Sequence, residues 1–136
     1  MFEIFEHTAD LGIRVTADSF PSLLIEAAHA LNSVLVAHPE TIVPATQVEL
    51  VIDAAEPENQ LVDWLAELLY QFSAEHMLFS RFRITLDDGR LVAQAWGETF
   101  DPARHRLDTE IKAITYHQLK VEQQASGWLA EVIVDL

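Results

Sequence analysis

The chain opens on a period of two. Phe2-Glu3-Ile4-Phe5-Glu6 and Leu11-Gly12-Ile13-Arg14-Val15-Thr16 set apolar or β-branched side chains between polar ones, as half-buried strands do, with polar His7-Thr8-Ala9-Asp10 between them. The period then lengthens. After Ser19, a helix-capping residue type, and Pro21, which suits a first turn, apolar residues recur at positions 20, 23, 24, 27, 28, 31, 34 and 35. This predicts an amphipathic helix with a wide buried face. Pro39 and Pro44 break it, and Gln47-Val48-Glu49-Leu50-Val51-Ile52-Asp53 alternates again as a strand. Pro57 opens a second helix, with Glu56 and Glu58 at the positive end of its dipole and Leu61, Leu65, Leu68, Leu69 and Phe72 as its core stripe.

Beyond it, Leu78 to Leu86 reads as a strand, Asp87-Asp88-Gly89 as a hairpin turn, and Leu91 to Gly97 as the partner strand. The last hairpin is the plainest: Leu119, Val121 and Gln123 alternate with Lys120, Glu122 and Gln124, Ser126-Gly127 turns, and Trp128 to Asp135 returns. Two helices among six or more strands, several joined by tight turns, predict an α+β fold: a two-layer domain with a largely antiparallel β-sheet packed against two amphipathic helices. No repeat, low-complexity run or Pro/Gly-rich linker divides the chain, so residues 1–136 are expected to form one domain.

Composition narrows the chemistry. With half of its 136 residues apolar, the chain can bury a core without staples, and the absence of cysteine excludes disulfides, thiolate metal sites and cysteine nucleophiles. Neither a basic leader with an apolar stretch nor a membrane-length apolar segment is present, which leads us to expect a soluble, cytoplasmic protein. Eight basic against 22 acidic side chains leave a net charge of −14, which repels a phosphate backbone unless the cations are tightly grouped. Direct nucleic-acid binding is therefore not expected. Such a surface suits docking on a basic partner, holding a cation, or simply remaining soluble.

The phosphate loop, the dinucleotide fingerprint, the serine-nucleophile elbow and the zinc-protease motif are all missing. Three polar clusters in otherwise strand-like sequence remain: Glu6 to Asp10, Asp108 to His117, and Asp135-Leu136. Asp10 reads either as a turn residue bonding a nearby backbone N–H or as a metal ligand. Asp135 beside a terminal carboxylate on Leu136 puts two anions together. A hard cation such as Ca²⁺ or Mg²⁺ would relieve their repulsion, or water would. Lys112, between Ile111 and Ala113, could reach a phosphate or carboxylate, or extend to solvent. His7 and His117 could ligate a metal or shuttle protons, or serve as hydrogen-bonded structural residues. Asp63-Trp64-Leu65-Ala66-Glu67-Leu68-Leu69-Tyr70 has helical spacing and is read as core.

Four stretches, in order, resemble the archease family: Glu6-His7-Thr8-Ala9-Asp10-Leu11-Gly12-Ile13, Asp63 to Tyr70, Glu110-Ile111-Lys112-Ala113-Ile114-Thr115-Tyr116-His117, and Val132-Ile133-Val134-Asp135-Leu136. The resemblance spans essentially the whole chain. It implies a protein cofactor, not itself an enzyme, that promotes guanylylation and multiple turnover of the GTP-dependent RNA-splicing ligase in tRNA splicing or RNA repair. It also implies that Asp10, Asp135 and Leu136 form a Ca²⁺-type metal site and that Lys112 is the lysine active toward the partner. Leu136 stands where the family often has isoleucine. Competing readings are a chaperone or modulator of RNA-modifying enzymes, and a metal-dependent hydrolase with His7 or His117 as base.

Overall fold

The computed structural model describes residues 1–7 and 10–136. Thr8, Ala9 and the His7 side chain lie outside the described residues, and with them the expectation that His7 binds a metal or moves a proton. In chain order the elements are β1 (Phe2–His7), β2 (Asp10–Ala17), α1 (Phe20–Leu35), β3 (Thr46–Ile52), α2 (Pro57–Glu75), β4 (Met77–Asp87), β5 (Arg90–Thr99), β6 (Ala113–Ile114), β7 (Lys120–Gln124) and β8 (Gly127–Asp135).

Local chemistry sets the boundaries. The Ser19 hydroxyl caps α1 by accepting the Ser22 N–H at 3.2 Å. Pro57 occupies the first turn of α2, and His76 ends that helix in the left-handed region (φ 57°), donating its N–H back to the Gln71 and Phe72 carbonyls. Between β4 and β5 the chain reverses through Asp88 (φ 50°) and Gly89 (φ 77°), the pair of positive φ values that a two-residue hairpin of matching twist requires. The final hairpin turns one residue earlier than its sequence suggests. Gln124 pairs with Gly127, so Ala125-Ser126 form the loop. Gly127 begins β8 at φ 142°, where a Cβ would overlap the Ala17 carbonyl.

The fold is α+β with antiparallel pairing throughout, but the strands divide into two sheets instead of one. The five-stranded sheet runs β1-β2-β8-β6, with β7 pairing β8 farther along; the three-stranded sheet runs β3-β5-β4. Each helix packs against both sheets. One apolar cluster therefore joins Ile13, Val15, Val132 and Val134 of the first sheet to Leu91, Ala93 and Ala95 of the second. The expected apolar stripe of α1 is buried in full, and in α2 Leu61, Leu65 and Leu68 are buried while Leu69 and Phe72 are partly so. Trp64 is fully buried, its indole N–H donating to the Leu24 carbonyl of α1 at 2.9 Å.

Asp108 to His117 depart most from the strand-like reading. Only Ala113–Ile114 joins a sheet, because Asp108 and Thr109 donate their N–H groups to the Leu35 and Val34 carbonyls instead (2.9 and 3.1 Å). They satisfy orphan acceptors at the end of α1. Ile111 then plugs into the core.

Candidate functional site

The site follows from strand register. Leu11, Ile13 and Val15 of β2 face the core, so Asp10, Gly12 and Arg14 alternate onto the outer face of the five-stranded sheet. Asp10 is the direct cross-strand partner of Asp135 on β8, and Asp135 in turn is opposite Ala113 of β6. Directly opposed residues share a face with Cβ atoms about 5 Å apart. Asp10 is thus the first residue of β2, paired with His7 on one side and Asp135 on the other, and its carboxylate lies on the same face as that of Asp135. Leu136 follows immediately, half-buried and packed against the core.

Lys112 enters the same corner through its backbone, donating its N–H to the Asp135 carbonyl at 2.8 Å. Lys112 itself is exposed. It lines an open groove of about 360 Å³ between residues 111–114 and the α2 residues Ala66, Leu69, Tyr70 and Ser73. Among the described residues it forms no ion pair. The structure therefore brings Asp10, Asp135 and the Lys112 backbone together, with Lys112 also among the residues lining the adjoining groove. His117 is exposed in the turns following β6, beside Thr115, whose hydroxyl donates to the Ile133 carbonyl at 2.8 Å.

A hard cation suits this donor set. Opposed carboxylates repel, and their oxygens match Ca²⁺ or Mg²⁺ better than softer metals. Among the described residues no three His, Cys, Asp or Glu side chains gather around one point. A cation held by Asp10 and Asp135 would thus need a further oxygen, from Leu136, the backbone or water. One row inward, Phe5 lies across Gly12, where a Cβ would overlap the ring. Arg14 in turn sits 4.8 Å above Phe5 and pairs with both Glu3 and Glu131. This apolar and cationic neighbour of the carboxylate pair has no sequence signal beyond the glycine that makes room for it.

A second polar cluster, also invisible in the sequence, lies at the far side of the three-stranded sheet. Glu98 accepts from the Val43 N–H (2.7 Å), from Arg104, and from buried His105 at 2.9 Å. The other His105 nitrogen accepts the Asp101 N–H, leaving Nε2 to donate to Glu98. These donors, Arg104 foremost, hold the Glu98 carboxyl down at about 2. A carboxyl depressed in the fold stabilises it above the ordinary carboxylate range, and that contribution fades as pH falls from about 4.5 through 2. Glu98→Gln is expected to cost about 1–3 kcal/mol at pH 7, a range kept low because Arg104 is half-exposed. Urea unfolding at pH 7 and at pH 3 checks this, since the gap between variant and parent should narrow at the lower pH.

Comparison with known proteins places this geometry among relatives. Residues 2–136 match the model of the Archease protein family (MTH1598/TM1083). Protein archease of Methanopyrus kandleri is 40% identical over 139 residues, covering 99% of each chain, and that of Sulfurisphaera tokodaii is 37% identical over 99% of this chain and 98% of its own. In solved structures, Methanobacterium thermoautotrophicum protein 1598 superposes with a TM-score of 0.85 at 31% identity, covering 99% of this chain and 98% of that one. A Thermotoga maritima archease, described as a possible chaperone, superposes at 0.69 with 26% identity, covering 100% and 98%.

Proposed function

The chain belongs to the archease family, and from that premise we propose that it is an accessory protein that activates the GTP-dependent RNA-splicing ligase, promoting its guanylylation and multiple turnover in tRNA splicing or RNA repair. The observation that carries this reading is the Asp10–Asp135 register with the Lys112 N–H on the Asp135 carbonyl, which draws three distant stretches of sequence to one sheet corner. In this proposal Asp10, Asp135 and Leu136 hold a divalent cation, Ca²⁺ before Mg²⁺. The ion would supply positive charge where the chain is otherwise anionic. Lys112 acts on the partner from the neighbouring groove, meeting a phosphate or carboxylate as a mobile point charge. The acidic surface favours approach to a basic, RNA-binding partner, so contact is with the ligase and not with RNA.

The test is stimulation of ligase guanylylation and of multiple-turnover ligation by the parent, by Asp10→Ala, by Lys112→Ala and by a chain lacking Leu136. Each change is expected to reduce stimulation about tenfold or more, and Asp10→Ala and loss of Leu136 should also abolish a Ca²⁺-induced rise in melting temperature. Full stimulation by all three variants would remove the proposed site. A chaperone role, as described for the Thermotoga relative, predicts instead that the protein keeps a client soluble with no effect on ligation.

A further inference from the structure

We propose that the outer edge of β4 is a docking site for an extended segment of a partner protein in which acidic and apolar residues alternate. β4 ends the three-stranded sheet, paired with β5 on one side only. Because the β4–β5 turn has two residues, Asp87 and Arg90 exchange both backbone hydrogen bonds. Alternation then places Thr85, Arg83 and Arg81 in bonded pairs with β5. Phe82, Ile84 and Leu86 point their N–H and C=O groups off the sheet, and among the described residues none of these groups meets another backbone group. A strand laid alongside would complete them, as in other cases of β-strand addition.

The side chains say what that strand should carry. On the solvent face, Arg81 and Arg83 account for two of only eight lysines and arginines in the chain. Among the described residues neither enters an ion pair, although 22 carboxylate side chains were available; Arg81 instead lies over the Trp96 ring at 4.9 Å. On the opposite face, half-buried Phe82 and Ile84 share a groove with Ile25 of α1. Together with the two arginines and Trp96, they line this groove of about 400 Å³ along the edge. A partner strand with carboxylates at every second position would pair them with Arg81 and Arg83 and turn its apolar residues toward Phe82, Ile84 and Ile25. Long-range repulsion from a −14 chain is screened beyond about 8 Å at physiological salt, so the local arginines decide the encounter. Charged residues also guard edge strands against aggregation, and the experiment separates the two roles.

A phage library of random nine-residue peptides would be selected on the intact protein, and the winning sequence synthesised for fluorescence anisotropy and amide hydrogen exchange. The expected winners alternate acidic and apolar residues, protect the Phe82, Ile84 and Leu86 amides, and bind about tenfold more weakly to Arg81→Glu/Arg83→Glu. Ile84→Pro, which removes an outward N–H while sparing the bonds to β5, should weaken binding as well. No enrichment, winners without alternation, or equal binding to the arginine variant would overturn the proposal. So would an arginine-dependent affinity for oligouridylate or for a second copy of the chain without any for peptide. Ligase stimulation by Arg81→Glu/Arg83→Glu is read in parallel; its retention alongside lost peptide binding keeps this site distinct from the Asp10–Asp135 corner.

Discussion

Trp64→Ala is expected to lower the unfolding free energy by about 3–5 kcal/mol and the melting temperature by roughly 10–20 °C, measured by urea and thermal unfolding. Trp64 is fully buried, meets Phe82 of β4 edge-to-face with ring centres 5.7 Å apart, and ties α2 to α1 through the Leu24 carbonyl. Truncation removes the contact of three elements at once and leaves a cavity bounded by helices already held by other neighbours, so it cannot simply collapse. Domains of this size are stable by about 5–15 kcal/mol. The loss thus takes at least about a fifth of the total. Trp64→Phe, which keeps most of the volume and loses the N–H, should cost less than half as much.

Gly97→Ala should be nearly as damaging, at about 3–5 kcal/mol, although it adds a single methyl group. Gly97 sits on the central strand β5, opposite Thr46 on one side and Phe79 on the other, and an added Cβ would run into the Leu78 carbonyl. The obstacle is backbone, so relief requires β4 to move away where its register already shifts between Phe79 and Arg81. Gly89→Ala provides the comparison. Its φ of 77° disfavours a side chain, but the space is open, with Ala55 at 3.7 Å, and a cost of about 1–2 kcal/mol is expected. Equal losses at both glycines in chemical denaturation would show that conformation, and not the close approach of β4, governs Gly97.

Much of this architecture can be read from apolar spacing, because spacing reports which face of an element is buried. The stripe at 20, 23, 24, 27, 28, 31, 34 and 35 locates α1, and Asp88-Gly89 announces its own turn. Spacing does not report which neighbour buries a face. The division into two sheets, and the diversion of Asp108 and Thr109 to the end of α1, depend on partners far along the chain. The candidate corner divides the same way. From spacing Asp10 reads as a turn residue before it reads as a ligand. Only the resemblance joins it to Lys112 and Asp135, and only the β2–β8 register sets Asp10 opposite Asp135. The Glu98–Arg104–His105 cluster leaves no periodic trace, since its members meet through loop geometry.

One strand holds the five-stranded sheet together. β8 pairs with β2, β6 and β7, and contacts such as Arg14–Glu131 span 117 positions. During synthesis β3, α2, β4 and β5 can associate with α1 while residues 127–135 are still being added, whereas the inner face of the β1–β2 hairpin must wait with Leu11, Ile13 and Val15 only partly covered. Closing so long a loop is slow compared with making local contacts. Completion of the five-stranded sheet therefore waits on β8. The carboxylate corner of Asp10 and Asp135 needs strands from both ends of the chain, so a chain still lacking β8 cannot form it.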